Sequence, residues 1–289
     1  MRKPVNIGAS VRARLLNLAR ERGQPFQVLL TRFVLERLLY RLSLTAHRDR
    51  FVLKGAMLMT SWFTDPLRPT QDLDLLGFDD PDYEAMLAIF REVCDVPIDD
   101  GVAFDVPALT AEHIREELEH GGLRLKTNAT LDGARIRVLI DIGFGDAAEP
   151  ADMVLPVLLD LPAPRLRAYR PETVIAEKFQ AMVLLGRANS RMKDFYDIWV
   201  LSRSNQFAGD DLTRAIRATF DRRKTPIPAE VPDCLAPAFA NDPAKQQQWE
   251  SFVANVAMQP GTLVDVVKDL AKFLMPQAEA ARQLGDTAL

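Results

Sequence analysis

The segment 51–77, FVLKGAMLMTSWFTDPLRPTQDLDLLG, constrains this chain more than any other stretch. It reads as a strand, a short apolar helix and a second strand. Lys54-Gly55 closes the first strand, and Asp72 and Asp74 lie on the second. Side chains two apart on a strand share a face. Asp72 and Asp74 then project together, while Leu73 and Leu75 turn into a core. Crowded carboxylates repel unless a cation or a hydrogen-bond donor stands between them. A hard divalent ion suits such a pair, and Mg2+ keeps waters and substrate phosphates as its other ligands. The facing helix starts at a glycine, and helix N-termini favour phosphates. The segment therefore predicts a metal platform beside a phosphate-binding turn.

The chain has 289 residues, enough for one large domain or two modest ones with a buried core. Its 48% hydrophobic and 26% charged content is that of an ordinary globular protein. Cys94 and Cys234 form no CxxC pair, which argues against a disulfide scaffold or zinc ribbon and suits a reducing cytoplasm. The N-terminal stretch is basic but lacks the apolar run of a signal peptide. No run of about 18 apolar residues is present, so no membrane span is expected.

Charge is unevenly spread. Residues 1–50 carry Arg2, Lys3, Arg12, Arg14, Arg20, Arg22, Arg32, Arg37, Arg41, Arg48 and Arg50 against Glu21, Glu36 and Asp49. A second basic cluster runs from Arg165, Arg167 and Arg170 to Lys193. The whole chain nonetheless has a net charge of −4. A basic segment on an acidic protein suits a local nucleic-acid footprint. A solvated, arginine-rich helix face gives the same composition.

Ser10 is placed to cap a helix over 11–21, with Val11, Leu15 and Leu18 on its apolar stripe. Gly23 ends it, and Pro25 opens a long helix to about 42. These two helices form a basic preface that either covers the sheet or binds RNA. After the organising segment, the pattern predicts a helix over 80–93, a strand near 102–106 and a helix near 111–120. Strands over 123–130 and 134–144 flank Leu131-Asp132-Gly133, a hairpin signal. In the second, Ile136, Val138 and Ile140 share one face, and Arg135, Arg137, Leu139 and Asp141 the other. Asp141 closes an apolar strand, where a carboxylate is costly unless exposed or bound. Pro156, Pro162 and Pro164 mark a linker, and 166–169 reads as a last strand. A helix follows from Pro171 to Gly186, another covers 192–202, and the rest is mainly helical. The expected division is a mixed α/β core over 1–165 and a helical part over 166–289.

Two further charge groups stand out. Lys178 borders the apolar face of its helix, where a lysine can simply run its stem along the surface. Asp194 and Asp197 share a face early in the next helix, where aspartates favour the positive dipole end.

Taken together, these pieces resemble the AbiEii/AbiGii (MenT-like) nucleotidyltransferase toxins of toxin–antitoxin systems. Lys54-Gly55 followed by Arg68-Pro69-Thr70-Gln71-Asp72-Leu73-Asp74 looks like that family's first motif. Asp141 in VLIDIGFGD looks like the second, Glu177-Lys178 in ETVIAEKFQAMV like the third, and Arg191-Met192-Lys193-Asp194-Phe195-Tyr196-Asp197 like the fourth. A lone Asp-x-Asp is a weak signal, whereas four motifs in order over 54–198 are specific. Residues after 198 carry no matching motif. Ala56 departs from the pattern, which often has glycine or serine there to contact phosphate.

The resemblance implies a nucleotidyltransferase core: a short mixed sheet flanked by helices, with a helical preface and a helical C-terminal part. It implies transfer of a nucleoside monophosphate from an NTP, with release of pyrophosphate. It assigns Asp72, Asp74, Lys178 and Asp194 to catalysis and Lys54, Gly55, Thr70 and Lys193 to the nucleotide. Mg2+, with Mn2+ as the alternative ion, falls to Asp72, Asp74 and Asp141, the last as metal ligand or base. The implied acceptor is the 3′ end of tRNA, and the implied partner is an AbiEi-like antitoxin. Two other classes compete: a protein-modifying nucleotidyl- or phosphotransferase, and a non-catalytic RNA- or partner-binding protein with a vestigial site. Loss of Asp72 or Asp74 would mark the last, and both are present.

Overall fold

Apolar periodicity and turn chemistry place most elements of the chain, which is described by a computed structural model over residues 6–63, 70–78, 82–114, 121–146, 149–204, 207, 210–254, 256 and 258–286. Arg68 and Pro69 of the first motif lie outside the described residues. The chain divides into two units, Met1–Gly145 with Pro150–Ala168, and Asp146–Glu149 with Tyr169–Leu289.

In the first unit, helix α1 spans Ile7–Glu21. Its N-cap is Asn6, whose side chain accepts the Ala9 N–H at 3.0 Å, so the helix starts earlier than Ser10 predicts. Helix α2, Phe26–Leu44, follows Gly23 at φ +62°. Strand β1 (Phe51–Lys54) runs into the short helix α3 (Gly55–Met59), and β2 (Leu73–Gly77) follows. Helix α4 (Tyr83–Asp95) is capped by Asp82, and β3 covers Val102–Phe104. Strands β4 (Thr110–Ile114), β5 (Gly122–Leu131), β6 (Ala134–Phe144), β7 (Ala151–Val154) and β8 (Arg165–Ala168) complete the sheet.

The helix expected over 111–120 is not what forms at its start. Residues 110–114 instead pair antiparallel with β5, from Thr110 opposite Lys126 to Ile114 opposite Gly122. Intrinsic preference loses here to a free sheet edge, and the Tyr83 hydroxyl fastens the strand by donating to Ala111 O at 2.9 Å. The β5–β6 hairpin forms as predicted. Asp132 (φ 45°) and Gly133 (φ 77°) make a two-residue turn with Leu131 opposite Ala134.

The sheet order is β3-β5-β6-β2-β1-β8-β7, with β4 also on β5. β2 lies parallel to β6 and β1 to β8, and the other pairs are antiparallel. Ile136, Val138, Ile140 and Ile142 of β6 are buried, and Arg135 and Arg137 face out.

The second helix of the preface is a core element. Leu29 to Leu39 of α2 are buried without a break, and the helix packs on β6 and β8. Its charges are therefore spent inside the molecule. Arg41 donates to both Asp100 oxygens (2.8 and 3.1 Å) and to Val102 O. Arg37 donates to Pro162 O at 2.8 Å, and Glu36 accepts the Leu158 N–H at 2.9 Å. These contacts clamp sequence-distant loops onto α2. Arg32, Arg37 and Arg41 are consequently withdrawn from any nucleic-acid footprint, while Arg12, Arg14 and Arg20 of α1 remain exposed.

The second unit is helical: α5 (Pro171–Leu185), α6 (Met192–Ser204), α7 (Asp211–Arg222), α8 (Pro237–Ala240), α9 (Pro243–Val253) and α10 (Leu263–Asp286). Gly186, at φ +50°, ends α5 as its position predicts. Phe179 meets Phe220, and Phe195 stacks on Phe239, which joins α5 to α7 and α6 to α8. Among the described residues no helix is long and apolar enough to cross a membrane.

Candidate functional site

Strand register lines up five charged residues across the first unit's sheet. Lys54 on β1 is opposite Asp74 on β2, and Asp74 is level with Asp141 on β6. Asp141 is opposite Arg124 on β5, and Arg124 is opposite Glu112 on β4. Level residues on neighbouring strands share a face, so this is one row, about 4.8 Å from strand to strand. The Leu73 and Leu75 side chains are buried, as the alternation predicts.

The turn after β1 fits tightly against this row. Gly55 has φ +75°, and a Cβ built there would lie 1.9 Å from Asp74 Oδ2. Only glycine accommodates both the backbone angle and the carboxylate. Lys54 reaches across the row: a Cβ added to Gly143 of β6 would sit 3.2 Å from its Nζ. The Thr70 hydroxyl is within donating distance, 3.1 Å, of both Asp72 O and Asp72 Oδ1. Beside Thr70 is a cavity of about 250 Å³, bounded by Gln27, Thr31, Gln71, Arg137 and Leu139. Arg137 and Leu139 alternate with Asp141 along β6, so the cavity adjoins the same face.

Asp141, expected as a metal ligand or base, has both oxygens engaged. Arg124 Nε donates to Oδ1 and a terminal N–H to Oδ2, each at 2.7 Å. That bond, more than the field of Glu112 and Asp72, drives the guanidinium pKa above its ordinary value. Arg124 escapes a motif reading, but the hairpin signal locates it. With Leu131 opposite Ala134, counting seven residues outward along each strand puts Arg124 against Asp141.

As a donor set, Asp72, which lies in the bend just before β2 rather than on the strand as predicted, and Asp74, against the turn that a Cβ would fill, are two hard oxygen ligands, and this fits Mg2+ completed by waters and phosphates. Among the described residues no group of three or more His, Cys, Asp or Glu side chains converges on a metal position.

In the second unit, Lys178 of α5 is no surface lysine, since its side chain is only 14% exposed. Its ammonium lies 2.9 Å from Asp194 Oδ1 and 2.8 Å from Asp197 Oδ2, both on the buried side of α6. Arg191 Nε is 2.7 Å from Asp194 Oδ2, close enough for ionic attraction but outside hydrogen-bond alignment. The two aspartates at helical spacing thus grip one lysine, in addition to meeting the helix dipole. Lys193 is on the exposed side of α6.

Glu177 turns the other way. It accepts the Tyr169 hydroxyl at 2.8 Å and lies 3.3 Å from Arg223, which also bonds Asp146 and Gln180. Burial, and then the neighbouring carboxylates, hold the Tyr169 phenol well above its ordinary pKa, so it is a permanent donor to Glu177.

A sequence profile of the family described as nucleotidyl transferase AbiEii toxin, type IV TA system, matches residues 37–277. Among solved structures, JHP933 from Helicobacter pylori is 16% identical, with a TM-score of 0.51 over 91% of this chain and 95% of that one. A candidate nucleotidyltransferase from H. pylori is 15% identical, with a TM-score of 0.52 over 89% and 97%. At such identities the likeness concerns the fold, and it agrees with the mixed α/β nucleotidyltransferase architecture. A search of curated proteins gave no significant match.

Proposed function

The chain belongs to the AbiEii family of nucleotidyl transferase toxins, and from that premise we propose that it moves a nucleoside monophosphate from an NTP to the 3′ acceptor end of tRNA, blocking translation. The observation that carries the reading is the row Lys54–Asp74–Asp141–Arg124, with Gly55 packed against Asp74. In the proposed reaction an acceptor hydroxyl oxygen bonds to the α-phosphorus. The bond from that phosphorus to the bridging oxygen breaks, pyrophosphate leaves, and the hydroxyl proton passes to a carboxylate.

Asp72 and Asp74 would hold Mg2+, which when bound supplies charge to the phosphates. Thr70 stands within donating distance of Asp72, and Lys54 adds a fixed positive charge beside Asp74. The cavity beside Thr70 offers room for the nucleoside. Lys178, gripped by Asp194 and Asp197 within the second unit, is the catalytic lysine that the family resemblance assigns. The exposed arginines of α1 are the proposed RNA contacts, positioning the backbone without reading bases. Family membership brings with it an antitoxin, proposed here as an AbiEi-like protein that meets the toxin in the cytoplasm.

The test is incubation of purified protein with Mg2+, total tRNA and each NTP labelled at the α- or γ-phosphate. The α-label should enter tRNA, and Asp72→Ala/Asp74→Ala should abolish the transfer. Paired reversal of Arg12 and Arg14 to glutamate should weaken tRNA binding and flatten its salt dependence while NTP binding persists. Transfer of the γ-label, or α-label found on protein alone, refutes the reading.

A further inference from the structure

Arg124 is the one strong cation on the carboxylate row that the proposed chemistry leaves without a task. It takes both oxygens of Asp141, whose neighbour in the parallel register is Asp74. Level residues on adjacent strands stand about 4.8 Å apart on one face, so the two carboxylates front the same space. Asp141 is buried, and with no cation opposite it its charge would be costly to hold there. The Arg124 side chain is 34% exposed, so its guanidinium has a path away from Asp141 that the carboxylate lacks.

We propose that Arg124 is a resident counter-cation: its guanidinium holds the place on Asp141 that a divalent ion shares with Asp74, and yields it when the ion loads. The inference rests on the nucleotide-site reading above. It concerns what competes with the ion rather than whether transfer occurs. The planar fork that matches a carboxylate also matches a phosphate. A displaced Arg124 therefore keeps an anionic partner in the incoming triphosphate, and the exchange leaves no orphaned charge. The two lysines nearest the Arg124–Asp141 pair stand on other carboxylates. Lys126 pairs with Glu112, away from the two aspartates, and Lys54 is opposite Asp74.

The experiment measures Mn2+ binding to the full-length protein without nucleotide, from the electron-spin resonance of the free ion. Wild type, Arg124→Ala and Arg124→Ala/Asp141→Asn are compared. Arg124→Ala should bind Mn2+ at least tenfold more tightly than wild type, because the ion no longer competes with the guanidinium. The double variant should lose that gain, because the freed carboxylate is gone. Equal affinity in wild type and Arg124→Ala overturns the counter-cation and leaves the metal platform standing. Absence of binding in all three overturns both. Should Arg124→Ala fail to fold, Arg124→Lys keeps the charge but loses the two-pronged grip. It should bind Mn2+ several-fold more tightly than wild type, and unchanged affinity refutes the proposal.

Discussion

Gly55→Ala is the substitution whose cost can be worked most directly from the structure. The backbone there has φ +75°, and an L-residue in the left-handed region costs about 1–2 kcal/mol. The new methyl would also lie 1.9 Å from Asp74 Oδ2 and 2.6 Å from both Asp74 Cβ and Cγ. Rotating the carboxylate relieves the first contact but not the one to Cβ, which is fixed to strand β2. The turn or the strand must then shift, and such overpacking costs roughly 1–3 kcal/mol. The expected loss is about 2–5 kcal/mol, a large share of a domain's net stability.

Urea unfolding of wild type, Gly55→Ala, Asp74→Gly and the double variant separates the two parts. Asp74→Gly removes the three atoms nearest the methyl, so the double variant should recover the clash and retain only the backbone strain. The coupling energy should therefore be about 1–3 kcal/mol. Additivity within about 0.5 kcal/mol would refute the close approach of Gly55 to Asp74.

Lys178→Ala takes from two buried aspartates the ammonium they share and should cost about 3–5 kcal/mol in urea unfolding. Lys178→Ala/Asp194→Asn/Asp197→Asn should regain most of it, and an equal loss in the triple variant would remove the charge argument. Burial, against the opposing pull of the Leu158 N–H and of Arg37 and Arg32, pushes Glu36 from 4.5 up to about 7. The folded state then keeps a proton that the unfolded state loses, so stability falls by about 3 kcal/mol as pH rises from 4.5 through 7; Glu36→Gln should flatten this dependence, and identical slopes at pH 5 and 8 for both proteins would contradict it.

Local signals carried the site further than the charge count did. The Asp132-Gly133 turn sets the β5–β6 register, and alternation along β6 sorts its apolar from its polar face. Gly186 and the apolar spacing place α5 and with it Lys178. Arginine frequency misleads because composition carries no burial. Arg41 looks like part of a basic surface until its partner Asp100, fifty-nine residues away, is brought beneath it by the fold. The stretch from Thr110 fails for a related reason. Its charged spacing suits a helix, yet the open edge of β5 offers Thr110–Ile114 a full ladder and the Lys126–Glu112 ion pair. Both errors occur where a partner distant in sequence decides the outcome.

The charge balance of the row bears on how an anionic nucleotide could be accepted there. With Glu112 taken up by Lys126, Asp74 and Asp141 of the row and Asp72 beside it set three negative charges against Lys54 and Arg124, which leaves the group with one negative charge. Such a group repels a triphosphate. Under the proposed reading a divalent ion reverses the sign to one positive charge and frees the guanidinium of Arg124 in the same event. Inside a partly buried site that reversal is felt at a lower effective dielectric than water, and so more strongly. Nucleotide affinity should then depend on the ion far more steeply than one added ligand would explain. The dependence should weaken in Asp141→Asn, where the row is already neutral before any ion arrives.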